Sequence, residues 1–368
     1  MTKTLIVGAG IAGLATARAF DLAGLPYRIV ERSPAPASGG AGLYLPGNAA
    51  RALLKLGLLG AVLVRSHPCM SQRIFDANGA LLHDMDVASF WQRVGPCIAL
   101  ARSTLQDILA SSITGKIDYG MACTGIGDDG DAVEVTFSDG SRDAFGLVVG
   151  ADGLHSSIRG MTFGTGIVRQ LPQRCWRMIV ENAHGIDTWT VTLADRRSLL
   201  AVPLGEGRLY VYADAIDCLD LPTASNVGSW RHLFDDLRGP LRPVLDAIPP
   251  ETKINGSRLC EVPVRSWCHR STTLIGDAAH ACSPSMAEGT ALALEDALTL
   301  AACISRSARV DEALKAFSRK RLPRWQWVQK QCHARDGLRM RSATIRRTVL
   351  KLAGSALYRR SYGPLLRP

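Results

Sequence analysis

A chain of 368 residues with 47% hydrophobic and 21% charged side chains can bury a sizeable core across about two domains, which excludes a disordered, fibrous or collagen-like polypeptide. Its ten cysteines are far apart, Cys260 and Cys268 being the nearest pair, which excludes a CxxC redox pair and any zinc-ligand spacing and suits reduced thiols in the cytoplasm. The formal charge of +10 is uneven: fourteen Lys or Arg between Arg319 and Arg367 face one acid, Asp336, and no aromatic-interleaved patch accompanies them to favour nucleic acid.

From the N-terminus, Thr4 to Phe20 is apolar and follows Lys3, much like a secretory leader. Three glycines interrupt it, and no other run is long and apolar enough to span a bilayer. The segment has the pattern of a buried strand, a glycine turn at Gly8, Gly10 and Gly13, and a helix beginning near Ala12. Gly8 permits the tight turn, Gly10 lets a pyrophosphate approach the backbone, and Gly13 lets the helix lie against the strand, with free N–H groups at the helix start facing the phosphates. A second strand, Tyr27-Arg-Ile-Val, ends at Glu31, the offset at which an acid accepts hydrogen bonds from ribose hydroxyls. These features predict a dinucleotide site and leave FAD and NAD both open.

Further on, strand-like Gln72-Arg-Ile-Phe is interrupted before a helix start at Arg102, so residues 71–98 are expected to cross into a second domain. Leu147-Val-Val-Gly150 and Leu274-Ile-Gly276-Asp277 are expected as buried strands ending in loops that carry Asp152 and Asp277, and ligands of open α/β sheets bind beyond such carboxyl ends. Between them Trp189-Thr-Val-Thr-Leu, Leu199-Leu-Ala-Val-Pro and Arg208-Leu-Tyr-Val-Tyr-Ala alternate as strands of a sheet that roofs the ligand. Trp176, Arg177, Trp189, Tyr210, Tyr212 and Pro284 are candidate substrate contacts. A helix from Ala291 follows, and its first N–H groups can stabilise negative charge. In the basic tail, Trp325 and Trp327 are expected as packing anchors. Val349, Leu350, Leu352, Ala353, Ala356 and Leu357 predict an apolar stripe under a basic face, suited to packing on the body or to weak contact with an anionic membrane surface.

The run Gly150-Ala-Asp152-Gly-Leu-His-Ser-Ser-Ile-Arg159 resembles the Asp-Gly motif, and Leu274-Ile-Gly276-Asp277-Ala-Ala-His280 the Gly-Asp motif, of the class A flavoprotein aromatic hydroxylases, the family of p-hydroxybenzoate and salicylate hydroxylases. With the glycine turn, three motifs stand in that family's order over nearly the whole chain up to the tail. The resemblance implies an α/β fold with a Rossmann-type FAD-binding domain (1–70, 99–165 and 266–310) interleaved with a β-sheet substrate domain (71–98 and 166–265), then a basic helical C-terminal segment (311–368). It implies a cytoplasmic monooxygenase in which NADH or NADPH transiently reduces FAD, molecular oxygen adds at flavin C4a, and the hydroperoxide hydroxylates a small aromatic or N-heterocyclic substrate. An oxidase or reductase on the same scaffold, without oxygen insertion, is the alternative. Neither a metal nor a catalytic side chain is required, and His280 marks the motif.

The same resemblance places Arg102 at the cofactor, Gly42 and Leu43 beside the ribityl chain, and the backbone of Cys123, Thr124 and Gly125 along the adenine, with Arg32 near the adenosine half. Asp152 supports the cofactor and nicotinamide access, Asp277 accepts from a ribityl hydroxyl, and Gly276 and the segment Ala287, Glu288, Gly289, Thr290, Ala291 approach the flavin. One departure stands out. The family commonly has Gly-Gln-Gly where this chain has Ala287-Glu288-Gly289, a change that Ala287 tolerates if its φ is negative, while Glu288 opposes charge on reduced flavin unless it points to solvent.

Overall fold

Thr4–Val7, four consecutive buried residues, lies inside a six-stranded sheet because apolar side chains on both faces demand cover on both sides. In the computed structural model, which describes residues 3–36, 41–128, 132–164, 168–216, 226–252, 254–263 and 266–368, this strand pairs in parallel with Tyr27–Glu31 on one side and Leu147–Gly150 on the other. Ile117–Tyr119 and Thr272–Leu274 extend the parallel array outward, and Cys268–His269 adds an antiparallel edge. The helix Ile11–Ala23 packs against the sheet and against the helix Gly289–Arg306. The carboxyl ends of the strands therefore open on one side, where the loops carrying Gly8, Asp152 and Asp277 meet.

A second, seven-stranded sheet runs in the order Asn255–Glu261, Arg169–Glu181, Arg208–Ile216, Arg197–Gly205, Trp189–Ala194, Ser71–Asp76, Leu81–Asp86. Residues 71–86 do cross over, the strand Ser71–Asp76 pairing in parallel with Trp189–Ala194. Period-two alternation splits this sheet into two faces. Tyr210, Tyr212 and Asp214 point toward the first sheet, whereas Leu209, Val211 and Ala213 point away into a separate core with Trp230, Phe234 and Leu245. Trp176 belongs to that outer core: it stacks on Trp230 with centroids 5.5 Å apart, so it is no substrate contact, its neighbour Arg177 taking the inward face instead. Residues 165, 166 and 265, where domain limits are expected, lie outside the described residues.

The tail folds as two helices, Val310–Arg339 and Ala343–Tyr362. The expected stripe is divided in the second. Leu350, Gly354 and Tyr358 face the body while Leu352 is 83% exposed, because 3.6-residue periodicity places positions 350 and 352 on opposite sides of a helix. Gly354 permits the close approach, since a Cβ there would overlap the ring of His83. Trp325 is buried against Trp267, and Trp327 donates to the Ser361 carbonyl at 2.9 Å, so both are packing anchors. No helix of the described residues is long and apolar enough to cross a membrane.

Candidate active site

A cavity of about 1230 Å³ begins at the glycine turn and continues between the two sheets to the tail helices. Its first half is built from backbone. Gly8 has φ 105°, a left-handed conformation that glycine alone adopts without strain. A Cβ at Gly13 would overlap the Gly8 carbonyl oxygen, whereas one at Gly10 would meet nothing within 4 Å. The turn is thus packed tight behind and open in front, the cradle a pyrophosphate needs. Glu31 is held by two backbone donors, Ala9 N–H at 2.8 Å and Ser33 N–H at 2.9 Å, one on each oxygen. Each oxygen keeps a lone pair for a ribose hydroxyl. These residues fit FAD.

The two acidic loops are joined by Arg159, which donates to the carbonyls of Leu154 (2.6 Å) and Ala278 (2.8 Å). Asp152 accepts from Ser157 N–H and Oγ through one oxygen, while its other oxygen, buried in the cavity wall, has no partner. Gly276 (φ 57°) brings the second loop onto the turn, since a Cβ would crowd that of Ala12 at 2.7 Å. Asp277, Ala287, Gly289 and Thr290 face the cavity, Gly276 and Ala291 sit directly behind, and Arg102 reaches it with a guanidinium unpaired among the described residues. Gly42 and Leu43 also line it; a Cβ at Gly42 would overlap the Tyr210 ring, so the glycine lets an aromatic of the second sheet close over this strand. Near Glu31 the cavity wall is formed by Arg32, Met121, Ala122 and Cys123, while Thr124 and Gly125 do not line it. Thr124 turns away, its hydroxyl donating to the Thr136 carbonyl as part of the Cys123–Asp128 strand ladder.

Neither Ala287 nor Glu288 meets the condition that would make it innocuous. Ala287 adopts φ 52°, a left-handed conformation that costs a residue with a Cβ about 1–2 kcal/mol. The preceding 3-10 turn, Pro284–Met286, imposes it, with Ala287 N–H donating to the Pro284 carbonyl. Glu288 does not reach solvent. It is 2% exposed, and Asn48 Nδ2 donates to its Oε2 at 2.8 Å. Burial pushes its carboxyl up to about 8, because a charge in a low-dielectric pocket is disfavoured unless an opposite charge answers it. The neighbouring cations are engaged elsewhere: Arg321 bonds Glu295 and Asp296, and Arg324 chelates Glu295. His280 Nε2 lies 2.5 Å from Asp296 Oδ2, which makes it part of the same buried lattice.

The second half of the cavity is built from side chains. Arg177, Trp189, Tyr210, Tyr212 and Pro284 all line it. Arg177 donates to Ser257 Oγ at 3.0 Å and lies 5.7 Å from the Tyr212 ring centroid; among the described residues it has no carboxylate partner, so its charge is available to a ligand. Sequence reasoning missed a polar knot at the far end, where Asp214 accepts from Tyr212 Oη and Ser198 Oγ, each at 3.0 Å, and pairs with Arg339. It missed the opposite wall too: Leu338, Val349, Leu350 and Tyr358 come from the tail and face Val191, Leu193 and Leu200 of the sheet. The tail is latched beside the strained turn by Tyr362 Oη, which donates to the Met286 carbonyl at 2.9 Å. Among the described residues no group of His, Cys, Asp or Glu could hold a metal ion.

A family model described as an FAD binding domain matches residues 1–216 and 258–331. The aurachin C monooxygenase/isomerase of Stigmatella aurantiaca is 31% identical over 327 residues, covering 87% of this chain and 85% of its own. The 2-heptyl-3-hydroxy-4(1H)-quinolone synthase of Pseudomonas aeruginosa is 31% identical over 373 residues, covering 97% and 95%. Among solved structures, Klebsiella pneumoniae HpxO complexed with FAD and uric acid superposes with a TM-score of 0.82 at 23% identity, over 100% of this chain and 93% of that one, a likeness of fold.

Proposed function

Because the chain belongs to the FAD binding domain family and is an FAD-dependent monooxygenase, we propose that its substrate is a flat N-heterocycle of the 4-quinolone type carrying an apolar chain. The enzyme is an oxidoreductase for small aromatic or heterocyclic compounds: substrate, O2, NAD(P)H and a proton become hydroxylated substrate, NAD(P)+ and water. The observation that carries the quinolone reading is the continuity of the cavity, in which a polar, aromatic-lined chamber around Arg177 leads into an apolar arm between Leu193, Leu200, Leu338 and Val349. A ring with an exocyclic oxygen suits the chamber, and an alkyl or prenyl chain suits the arm. The relative named as a 2-heptyl-3-hydroxy-4(1H)-quinolone synthase supports the same class.

Bound FAD supplies the redox chemistry, accepting electrons from the nicotinamide and passing activated oxygen to the substrate. The protein's part is position and electrostatics. Gly8, Gly10, Ala12 and Gly13 would hold the pyrophosphate, with Arg102 as countercharge. Glu31 would accept from the ribose, with Arg32 and Cys123 beside the adenosine. Gly42, Leu43 and Asp277 would flank the ribityl chain, Asp152 would support the cofactor, and Ala287–Ala291 would face the ring. The guanidinium of Arg177 would hold the heterocycle's oxygen, and Tyr210, Tyr212 and Trp189 would sandwich and shield it from water. Residues 1–70, 99–165 and 266–310 then form the FAD domain, 71–98 and 166–265 the substrate domain. Unpaired buried thiols such as Cys69 and Cys97 suit the reducing cytoplasm. The outward residues Ile345 and Leu352, in line with Arg359 on one face of the same helix, would touch an anionic membrane into which such a substrate partitions.

Anaerobic stopped-flow reduction by NADH and NADPH, with and without 2-alkyl-4-quinolones, simple phenols and indoles, tests the substrate class. Acceleration of flavin bleaching by the alkylquinolones above the short-chain compounds is the expected result. Equal acceleration by chainless phenols would remove the quinolone reading.

A further inference from the structure

Two buried polar atoms near the start of the helix Gly289–Arg306 lack partners: Glu288 Oε1 and Asn48 Oδ1. Their side chains already meet through the other pair of atoms, Asn48 Nδ2 to Glu288 Oε2 at 2.8 Å, and the two residues are 2% and 0% exposed. An ionised carboxylate is acceptor-only and would leave both atoms unsatisfied, at considerable cost in a dry site. A proton on Oε1 turns that atom into a donor, and the amide oxygen is a buried acceptor on the side chain that Glu288 already meets. Turning the amide over only strengthens the requirement. Its oxygen would then stand 2.8 Å from a Glu288 oxygen, a contact that needs a proton between them, and 3.4 Å from the ion-paired Glu295, which favours the nitrogen in that place.

We propose that the enzyme carries Glu288 as an uncharged carboxylic acid, paired reciprocally with the Asn48 amide, and that this positioning residue keeps the flavin-facing start of the helix free of fixed negative charge. A protonated glutamate has the shape and hydrogen-bonding valence of glutamine, so the departure from Gly-Gln-Gly is conservative in its neutral form and disruptive when ionised. Glu295 and Asp296 of the same helix, Arg321 and Arg324 of the next, and Arg51 of the helix Gly47–Lys55 form a lattice of two acids and three cations, whose guanidiniums are spent on Glu295, Asp296 and tail carbonyls; no ion pair among the described residues includes Glu288. Cys97 and Tyr362, which also face it, carry no charge in this setting, burial holding both above their ordinary range. The consequence for catalysis rests on the proposal that Ala287–Ala291 faces the flavin ring.

The experiment uses the FAD-loaded enzyme and E288Q. Because the folded carboxyl titrates above the unfolded one, its stability contribution is complete below about pH 4.5 and is lost as pH rises to about 8. The melting temperature of E288Q should therefore match wild type near pH 5 and exceed it by roughly 5 °C at pH 8. Infrared spectra of the wild type at pH 6 should show a carboxylic-acid C=O band that E288Q lacks, that N48A moves to higher frequency, and that disappears with rising pH in wild type even if the variants fail to fold. A pH-independent melting difference or the absence of the band would overturn the acid–amide pair. With the pair established, wild-type flavin reduction should slow above about pH 8 and E288Q should lose that limb; the same limb in both would overturn the flavin-facing placement instead.

Discussion

The two halves of the cavity are made of different material. Around the glycine turn the wall is main chain, with N–H groups, carbonyls and missing side chains doing the recognition, and local spacing along the chain dictates nearly all of it. Around Arg177 the wall is side chain, assembled from five strands and two helices whose register is decided by the rest of the fold. A backbone site tolerates almost no added atom, whereas a side-chain site tolerates exchange at one position and registers it as altered affinity.

Gly13→Ala tests the first half and should have the largest effect. Its methyl group overlaps the Gly8 carbonyl, so purified protein should carry less than about a tenth of the normal flavin and unfold in urea with a loss of about 3 kcal/mol. Retention of full flavin absorbance would show that the helix can shift and that the turn is less rigid than its packing implies. Arg177→Leu tests the second half. Flavin content should be unchanged while KM for an oxygen-bearing heterocycle rises roughly tenfold to a hundredfold, the worth of a hydrogen bond to a charged donor. A fall in kcat at constant KM would instead give Arg177 a role in the reacting geometry. Ala287→Gly sharpens the border between the halves. Relief of the left-handed strain, partly offset by the greater freedom of glycine in the unfolded chain, should add about 0.5–1 kcal/mol in denaturant titrations. No gain would mean that the turn relaxes around the methyl group.

The same contrast explains what could be read from the chain alone. Gly8, Gly10, Gly13, Glu31, Asp152 and Asp277 were legible because the spacing of glycines and acids around strands is set within a few dozen residues. Arg177, Tyr210 and Tyr212 were legible as candidates, since aromatic and basic residues in alternating strands have few other uses. Trp176 was indistinguishable from Arg177 until the register placed neighbours on opposite faces. Glu288 pointed to solvent or to flavin as long as Asn48, 240 positions earlier, was not known to stand beside it. Asp214 and Arg339 are 125 residues apart, and nothing in either neighbourhood announces the other.

The helix Ala343–Tyr362 meets the cavity at both ends, Tyr362 latching beside the turn that carries Ala287, and Val349 and Leu350 lining the far arm. Leu350 and Val349 can change size without disturbing the glycine turn, Glu31 or either acidic loop, and the family model ends at residue 331, before this helix begins. If the proposed chain-bearing substrate is the right one, Val349 and Leu350 give evolution, or an engineer, a surface on which chain-length preference is adjustable away from the glycine turn. New substrates in such a scaffold need not begin with a new catalyst.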